Sequence, residues 1–388
     1  MSSEPLALYV HWPFCVSKCP YCDFNSHVRA SIDQDVWRDA LLADIAHEAR
    51  LLPGRQLTSI FFGGGTPSLM DPATVDSIIV AAASHWKPAS DIEITLEANP
   101  NSVEAERFAD LAHAGVNRLS LGLQSFDEEA LRFLGRAHSA RDGFRALETA
   151  QRCFRRVSFD LIYALPTDTE TSWSAILAQA LSLGTRHLSL YQLTIEPGTR
   201  FASMVAKDQF QPLGSDAAAA LYELTDAMTS QARMPAYEIS NYARSGQESR
   251  HNLTYWRYGD YAGAGPGAHG RRLGMRTTRH RKPENFLSSI TRNGHGIAEE
   301  APLSRLEGAD EALVMGLRLR EGIDAGAIAE RFELASIVDW ERVERLVASG
   351  HVQREGDRIR LTAAGRLLLD HILGEIAAVK PKVLAIAG

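Results

Sequence analysis

The sequence predicts an α/β protein: a largely parallel sheet with helices against it, followed by a smaller, mostly helical domain that resembles a winged helix. Three observations lead there. Six short apolar, strand-like runs alternate with helix-periodic stretches between residues 6 and 236, and parallel strands need such crossover helices. The polar and glycine residues that stand out fall at or near the ends of those runs, where parallel barrels carry their chemistry. After Pro302 the pattern changes to helices followed by a hairpin signal.

Leu6–Trp12 alternates as the first strand, and 34–52 follow with Trp37, Leu41, Ile45 and Leu52 on one helical face. Thr58–Phe62 is the second strand, closed by Gly63-Gly64-Gly65-Thr66-Pro67, with its helix over 72–83. Ile92–Glu97 is the third, followed by one helix over 103–114. Arg118–Gln124 precedes helices over 128–134 and 141–153. Val157–Tyr163 precedes a helix over 171–183, and His187–Thr194 one over 216–232. Beyond Pro302 come helices over 306–319, 324–332 and 338–349, strands 351–354 and 358–361 around Glu355-Gly356-Asp357, and a closing helix over 362–376. The division expected is a core over 1–236, a basic connecting segment over 237–300 and a C-terminal domain over 301–388.

Composition narrows the class. The 388 residues are 45% hydrophobic and 23% charged, as in a globular protein with a sizeable core. A formal net charge of −7 gives no reason to expect nucleic acid. Residues 301–388 carry 12 Lys or Arg against 14 Asp or Glu, unlike a DNA reader. The N-terminus shows no signal region and no apolar run approaches a membrane span, so we expect a cytoplasmic protein that is not integral to a membrane. Four cysteines suit a reducing compartment, and Cys153 reads as a core filler.

The other three cysteines carry the strongest signal. Cys15, Cys19 and Cys22 form C-x3-C-x2-C just after the first strand. Thiolates at that density are soft anionic ligands suited to iron–sulfur chemistry. A [4Fe-4S] cluster normally takes four cysteines, and Phe24 stands where another close-spaced one would fall, so one iron would stay open. A structural zinc site completed by His11 or His27 is the alternative. Downstream, the glycine run allows a ligand close to the backbone, although a tight strand–helix turn would use it too.

This arrangement resembles the radical S-adenosylmethionine (SAM) superfamily. The resemblance implies a partial (β/α)6 barrel, a [4Fe-4S] cluster on Cys15, Cys19 and Cys22, and SAM held by its amino and carboxylate groups on the open iron. In that family the reduced cluster passes an electron to the sulfonium. Residues 63–67 resemble the family's glycine element. Tyr9 matches a tyrosine six residues before the first cysteine, and Glu97 an acidic residue beyond the third strand. By the same resemblance, Phe24, Gly64, Gly65, Thr66, Gln124, Arg136 and Asp160 belong to the surroundings of SAM. Carboxylates, an amide and an arginine are fitting partners for its ammonium, carboxylate and hydroxyl groups.

Tyr9–Cys15 and Phe159–Pro166 look like the oxygen-independent coproporphyrinogen III oxidase branch, which holds a decarboxylase and a group of heme chaperones. Three features resemble the chaperones. Phe24 replaces a cysteine of the oxidase motif, the first strand begins without the oxidase's N-terminal extension, and His251-Asn-Leu-Thr-Tyr-Trp256 matches the chaperones' HNxxYW motif. That motif implies heme at His251, beside the flat surfaces of Tyr255 and Trp256. From His251 to His295 eight Arg or Lys stand against Asp260 and Glu284, a charge suited to propionates or to anionic lipid. His269 is the second candidate ligand. The reading is a chaperone that carries heme to heme-accepting proteins, membrane-associated ones being one option, with a peripheral place at the membrane left open. The decarboxylase is the alternative, and a winged-helix nucleic acid regulator is disfavoured.

Overall fold

The alternation of the six apolar runs resolves into two faces. The computed structural model describes residues 4–378. The parallel strands are β1 (Pro5–Trp12), β2 (Gln56–Gly64), β3 (Lys87–Ala98), β4 (Arg118–Gln124), β5 (Arg156–Tyr163) and β6 (His187–Gln192). They lie side by side in sequence order, each parallel to the next. Their outer faces present Leu8, Val10, Phe62, Leu96, Leu121, Phe159 and Leu190 to one large apolar cluster. Alternate residues face inward and are polar: Ser59, Glu93, Thr95, Ser120, Ser158, His187 and Ser189 are all buried.

Helices close the outer face. They include α1 (Gln34–Leu51), α2 (Pro72–His85), α3 (Ala140–Cys153), α4 (Glu170–Ser182) and α5 (Ser215–Gln231). Asp33 caps α1, and Ser139 and Thr169 form capping boxes for α3 and α4. The single helix expected over 103–114 is instead two, Ser102–Glu106 and Phe108–His113. Arg107 separates them at φ −90° and ψ −5°, and its guanidinium reaches the Met70 carbonyl at 2.8 Å and Asp71 at 3.0 Å. Cys153 is half-buried and packs against the main core.

Residues 237–300 extend the sheet at both edges. β7 (Asn241–Ala243) pairs antiparallel with β6. After α6 (Arg250–Trp256), β8 (Tyr261–Ala264) runs parallel to β1 on its free side. β9 (His269–Arg272), β10 (Met275–Arg279) and β11 (Ile297–Pro302) continue antiparallel, giving an eleven-stranded sheet that does not close. This is the expected partial (β/α)6 barrel with added flanks. The glycine-rich stretch serves backbone packing: a Cβ at Gly263 would stand 2.0 Å from the His269 carbonyl oxygen.

The C-terminal unit has its own apolar cluster. α7 (Arg305–Leu317) and helices Ala325–Arg331 and Trp340–Ala348 precede the hairpin Val352–Glu355 and Arg358–Leu361. The expected closing helix is split into Ala363–Arg366 and Leu369–Ile376. Arg366 joins Asp226 of α5 at 2.8 Å, and Arg318 lies over the Trp256 ring.

The basic stretch after His251 is largely neutralised within the fold. Arg279 and its partners Asp44 and Glu48 on α1 are all fully buried, at 3.3 and 2.6 Å. Arg272 meets Glu48 and Glu300, Arg257 meets Glu321, and Arg271 and Arg276 approach Glu311. Asp44 also accepts the backbone N–H groups of Gly265 and Gly296. Removing one partner of such a network leaves buried charge uncompensated. We therefore expect Arg279→Met to lower unfolding stability by about 3–5 kcal/mol in urea denaturation. A loss below about 1 kcal/mol contradicts this role.

Candidate functional site

The loop after β1 carries the three cysteines, all free and half-buried. It is held from several directions. Phe14–Cys15 pairs as a short strand with His27–Val28. Pro20 accepts the backbone N–H of Phe201 at 2.9 Å, and the Asn25 amide donates to the Pro266 and Arg281 carbonyls at 2.8 and 3.0 Å. The ring of Tyr21 packs among Leu134, Ile162, Leu165 and Phe201. A Cβ at Gly65 would lie 2.6 Å from the Phe14 carbonyl oxygen, so the glycine turn closes directly on the cysteine strand.

One cleft of about 140 Å³ gathers Cys15, Cys19, Cys22, Phe24, Gly64, Gly65, Thr66, Glu97, Gln124, Arg136 and Asp160. The C-terminal ends of β2 to β5, the cysteine loop and, for Arg136, the turn between the helix Glu128–Phe133 and α3 supply them. Thr66 donates to the Cys15 sulfur at 3.5 Å, and Arg136 to the Cys19 sulfur at 3.3 Å. Arg136 also donates to the Asn99 side chain at 2.6 Å and to the Gly122 carbonyl at 3.0 Å. Gln124 leaves β4 at φ 67°, in the sparsely occupied left-handed region, where the β4–β5 register shifts. Phe24 is 48% exposed at the cleft.

Burial sets the acid–base character of the cleft. It raises the Cys15 and Cys22 thiols, against the lowering effect of hydrogen bonds from Thr66 and Ser26. Glu97 is pushed up to about 8 by burial and then by the Asp160 charge, although the Gly64 N–H donates to it at 3.2 Å. Asp160 is pushed up to about 6 by burial and accepts from Ser120 at 3.3 Å. Two carboxyls so placed favour a cationic guest.

Tyr9 and His251 do not line this cleft. The Tyr9 hydroxyl meets His11 Nδ1 at 2.9 Å, and His11 Nε2 meets the Asn25 carbonyl at 2.9 Å. His251, on α6, is buried toward the N-terminal ends of the strands, the opposite end from the cysteines. Its Nδ1 meets Ser59 at 3.1 Å, its ring stacks on Phe61 at 4.9 Å, and burial holds it down near 4. His269 is exposed at the start of β9.

The residues present fit a cluster with an adjacent organic cofactor. Each of the three thiols has a polar partner beside it, Thr66 at Cys15, Arg136 at Cys19 and Ser26 at Cys22, and among the described residues no carboxylate comes within salt-bridge reach of Arg136. Among the described residues no three His, Cys, Asp or Glu side chains converge on a point fit for a single ion. Asn99, Ser120 and Glu104 are additions to the expected set. Asn99 joins Thr66 to Arg136, and Glu104 accepts the Asn99 N–H at 2.8 Å and the Ser68 hydroxyl. The one sequence signal for Asn99 is its place beside Glu97 and Pro100 at the end of β3.

Known proteins share this architecture. The family model for the radical SAM superfamily matches residues 9–180, and that for the HemN C-terminal domain matches 303–368. Heme chaperone HemW of Escherichia coli is 37% identical over 95% of this chain and 97% of that protein. The mitochondrial radical S-adenosyl methionine domain-containing protein 1 of Bos taurus is 42% identical over 95% of this chain and 83% of its own. The solved structure of coproporphyrinogen III oxidase (HemN) from Escherichia coli superposes with a TM-score of 0.81 at 25% identity, over 96% of this chain and 90% of that one. With the cysteine loop and cleft in place, these matches show that the chain belongs to the radical SAM superfamily and, within its HemN-like branch, to the HemW family.

Proposed function

We propose that the chain is a heme chaperone, which binds heme and delivers it to heme-requiring proteins. It would use a [4Fe-4S] cluster on Cys15, Cys19 and Cys22 and SAM in the adjoining cleft. The observation that supports this most is the similarity, across nearly the whole chain, to proteins named heme chaperone HemW. The cluster and SAM, when bound, supply an electron donor and a sulfonium. The chain's own residues bind and orient them. Thr66 and Arg136 donate to the Cys15 and Cys19 sulfurs and so orient two of the atoms that would hold the cluster. Gly64 and Gly65 let a ligand approach the backbone, with Glu97, Gln124 and Asp160 as polar partners and Phe24 as apolar cover.

We assign heme coordination to His251. In this structure its ring is 5% exposed beneath Tyr9 and Phe61, so ligation through it requires α6 to part from β1 and β2. His269 is the second candidate. The expected setting is the cytoplasm, with heme-accepting proteins as partners. Among the described residues no helix is long and apolar enough to cross a membrane.

Oxygen-independent coproporphyrinogen III decarboxylation is the second reading, favoured by the likeness to the HemN structure. Phe24, in place of that branch's additional cysteine, weighs against it. Anaerobic heme titration of the cluster-reconstituted protein separates the two. Saturable binding that His251→Ala weakens or alters in the visible spectrum supports the chaperone and its ligand. Binding indifferent to the substitution moves the ligand to His269. Absence of saturable binding, with decarboxylated product formed from coproporphyrinogen III, SAM and reductant, supports the enzyme.

Two further outcomes follow from the cleft. Cys19→Ser should abolish the low-temperature paramagnetic resonance signal of the reduced cluster; an unchanged signal places the cluster elsewhere. The second concerns pH. With Glu97 raised to about 8 in the folded protein, the empty cleft holds its proton at neutral pH. Because the unfolded chain ionises Glu97 first, the empty protein loses stability as pH rises from the ordinary value of 4.5 toward 8. A cation bound beside Glu97 releases that proton, so SAM affinity should rise between about pH 6 and 8, by at most about tenfold per unit. Calorimetric titration should find Glu97→Gln nearly flat, and an undiminished slope in that variant contradicts the assignment.

A further inference from the structure

The opposite end of the barrel has a cavity of about 320 Å³. It opens among the first residues of β4, β5 and β6, which are Arg118, Arg156 and His187. Arg155 and Arg186 stand exposed on its lip, and no acidic residue lines it. Of the four guanidinium groups, that of Arg156 is paired with Glu93 at 2.7 Å, and that of Arg118 turns inward to Ser158 at 3.2 Å. The side chains of Arg155 and Arg186 have no hydrogen-bond or ion-pair partner among the described residues.

Two buried groups on the same wall are also unmet. Thr185 is 6% exposed and its hydroxyl has no partner. His187 is 3% exposed; its Nε2 meets the Tyr237 hydroxyl at 3.0 Å, but its Nδ1 has no partner. Both atoms are sealed from solvent, so the guanidinium groups are what a guest would meet, and with no acidic residue among the described lining they favour an acceptor-rich one. Guanidinium forks match the geometry of phosphate and carboxylate.

We propose that this cavity is an oxyanion site, with the exposed Arg155 and Arg186 as the clamp on its lip. Two sources share the chemistry: a free phosphate compound, or the propionates of a tetrapyrrole. The second is suggested by the neighbourhood, since Gln247 lines the cavity only four residues before His251. Arg156 holds that segment by the Gln247 and Glu248 carbonyls, each at 2.9 Å. The propionate source rests on the heme reading; the phosphate source does not.

The test uses the full chain and its Arg155→Ala, Arg186→Ala double variant, whose substituted side chains are exposed. Each is titrated calorimetrically with inorganic phosphate, with metal-free mesoporphyrin, and with mesoporphyrin dimethyl ester. The proposal expects saturable binding of phosphate or the free-acid porphyrin, weakened about tenfold or more in the double variant, and no such dependence for the ester. Phosphate alone identifies a free-phosphate site, the porphyrin alone identifies propionates, and both identify a general oxyanion site. Binding of neither, or binding equal in the double variant, overturns the proposal. Because mesoporphyrin has no iron to ligate, either result leaves heme coordination by His251 to be judged by its own titration.

Discussion

Burial of polar side chains on the inward face of six parallel strands is the constraint on which the rest of the structure depends. Such groups persist inside a protein only when neighbours complete their hydrogen bonds. Here they do so as a column. Arg118 donates to Ser158 at 3.2 Å, Ser158 and Ser120 meet at 2.9 Å, and Ser120 donates to Asp160 at 3.3 Å. The column runs from the arginine-lined cavity to the cysteine cleft. A second line runs from His251 past Tyr9 to His11, and from His11 to Asn25 in the cysteine loop. The two ends of the barrel are thus different chemical environments joined by packed polar and aromatic groups.

The flanking strands make that arrangement rigid where it matters. β8 lies along the free side of β1, and the turn that follows it is tied to α1 through Asp44. The same turn accepts the Asn25 amide through Pro266. The cysteine loop therefore rests on an element more than two hundred residues away in the chain. Arginines that would otherwise suggest a ligand-binding face instead fasten β9 and β10 to α1 and α7.

Much of this was legible in the sequence because its signals are local. Period-two alternation marked all six parallel strands, and the cysteine spacing and the glycine run marked the cleft. Strand polarity then placed Glu97, Gln124 and Asp160 at the same end, since residues at the C-terminal ends of parallel neighbours must meet. Long-range facts were not legible. Nothing near Arg279 announces that Asp44 and Glu48 will neutralise it, and nothing in HNxxYW announces that its histidine faces Ser59. The short strands β7 to β10 carry too few residues for a period to show. Arg107 divides a helix whose apolar pattern is continuous, and its guanidinium reaches the Met70 carbonyl.

The proposed handover of heme to another protein is open to measurement. Its most direct test is to load the cluster-containing protein with heme anaerobically and mix it with an apo heme protein in the presence of a scavenger of free heme. The transfer is then followed in the Soret band. A chaperone should reconstitute the acceptor faster than free heme does under the same competition. Reconstitution no faster than from the scavenged free pool would contradict it.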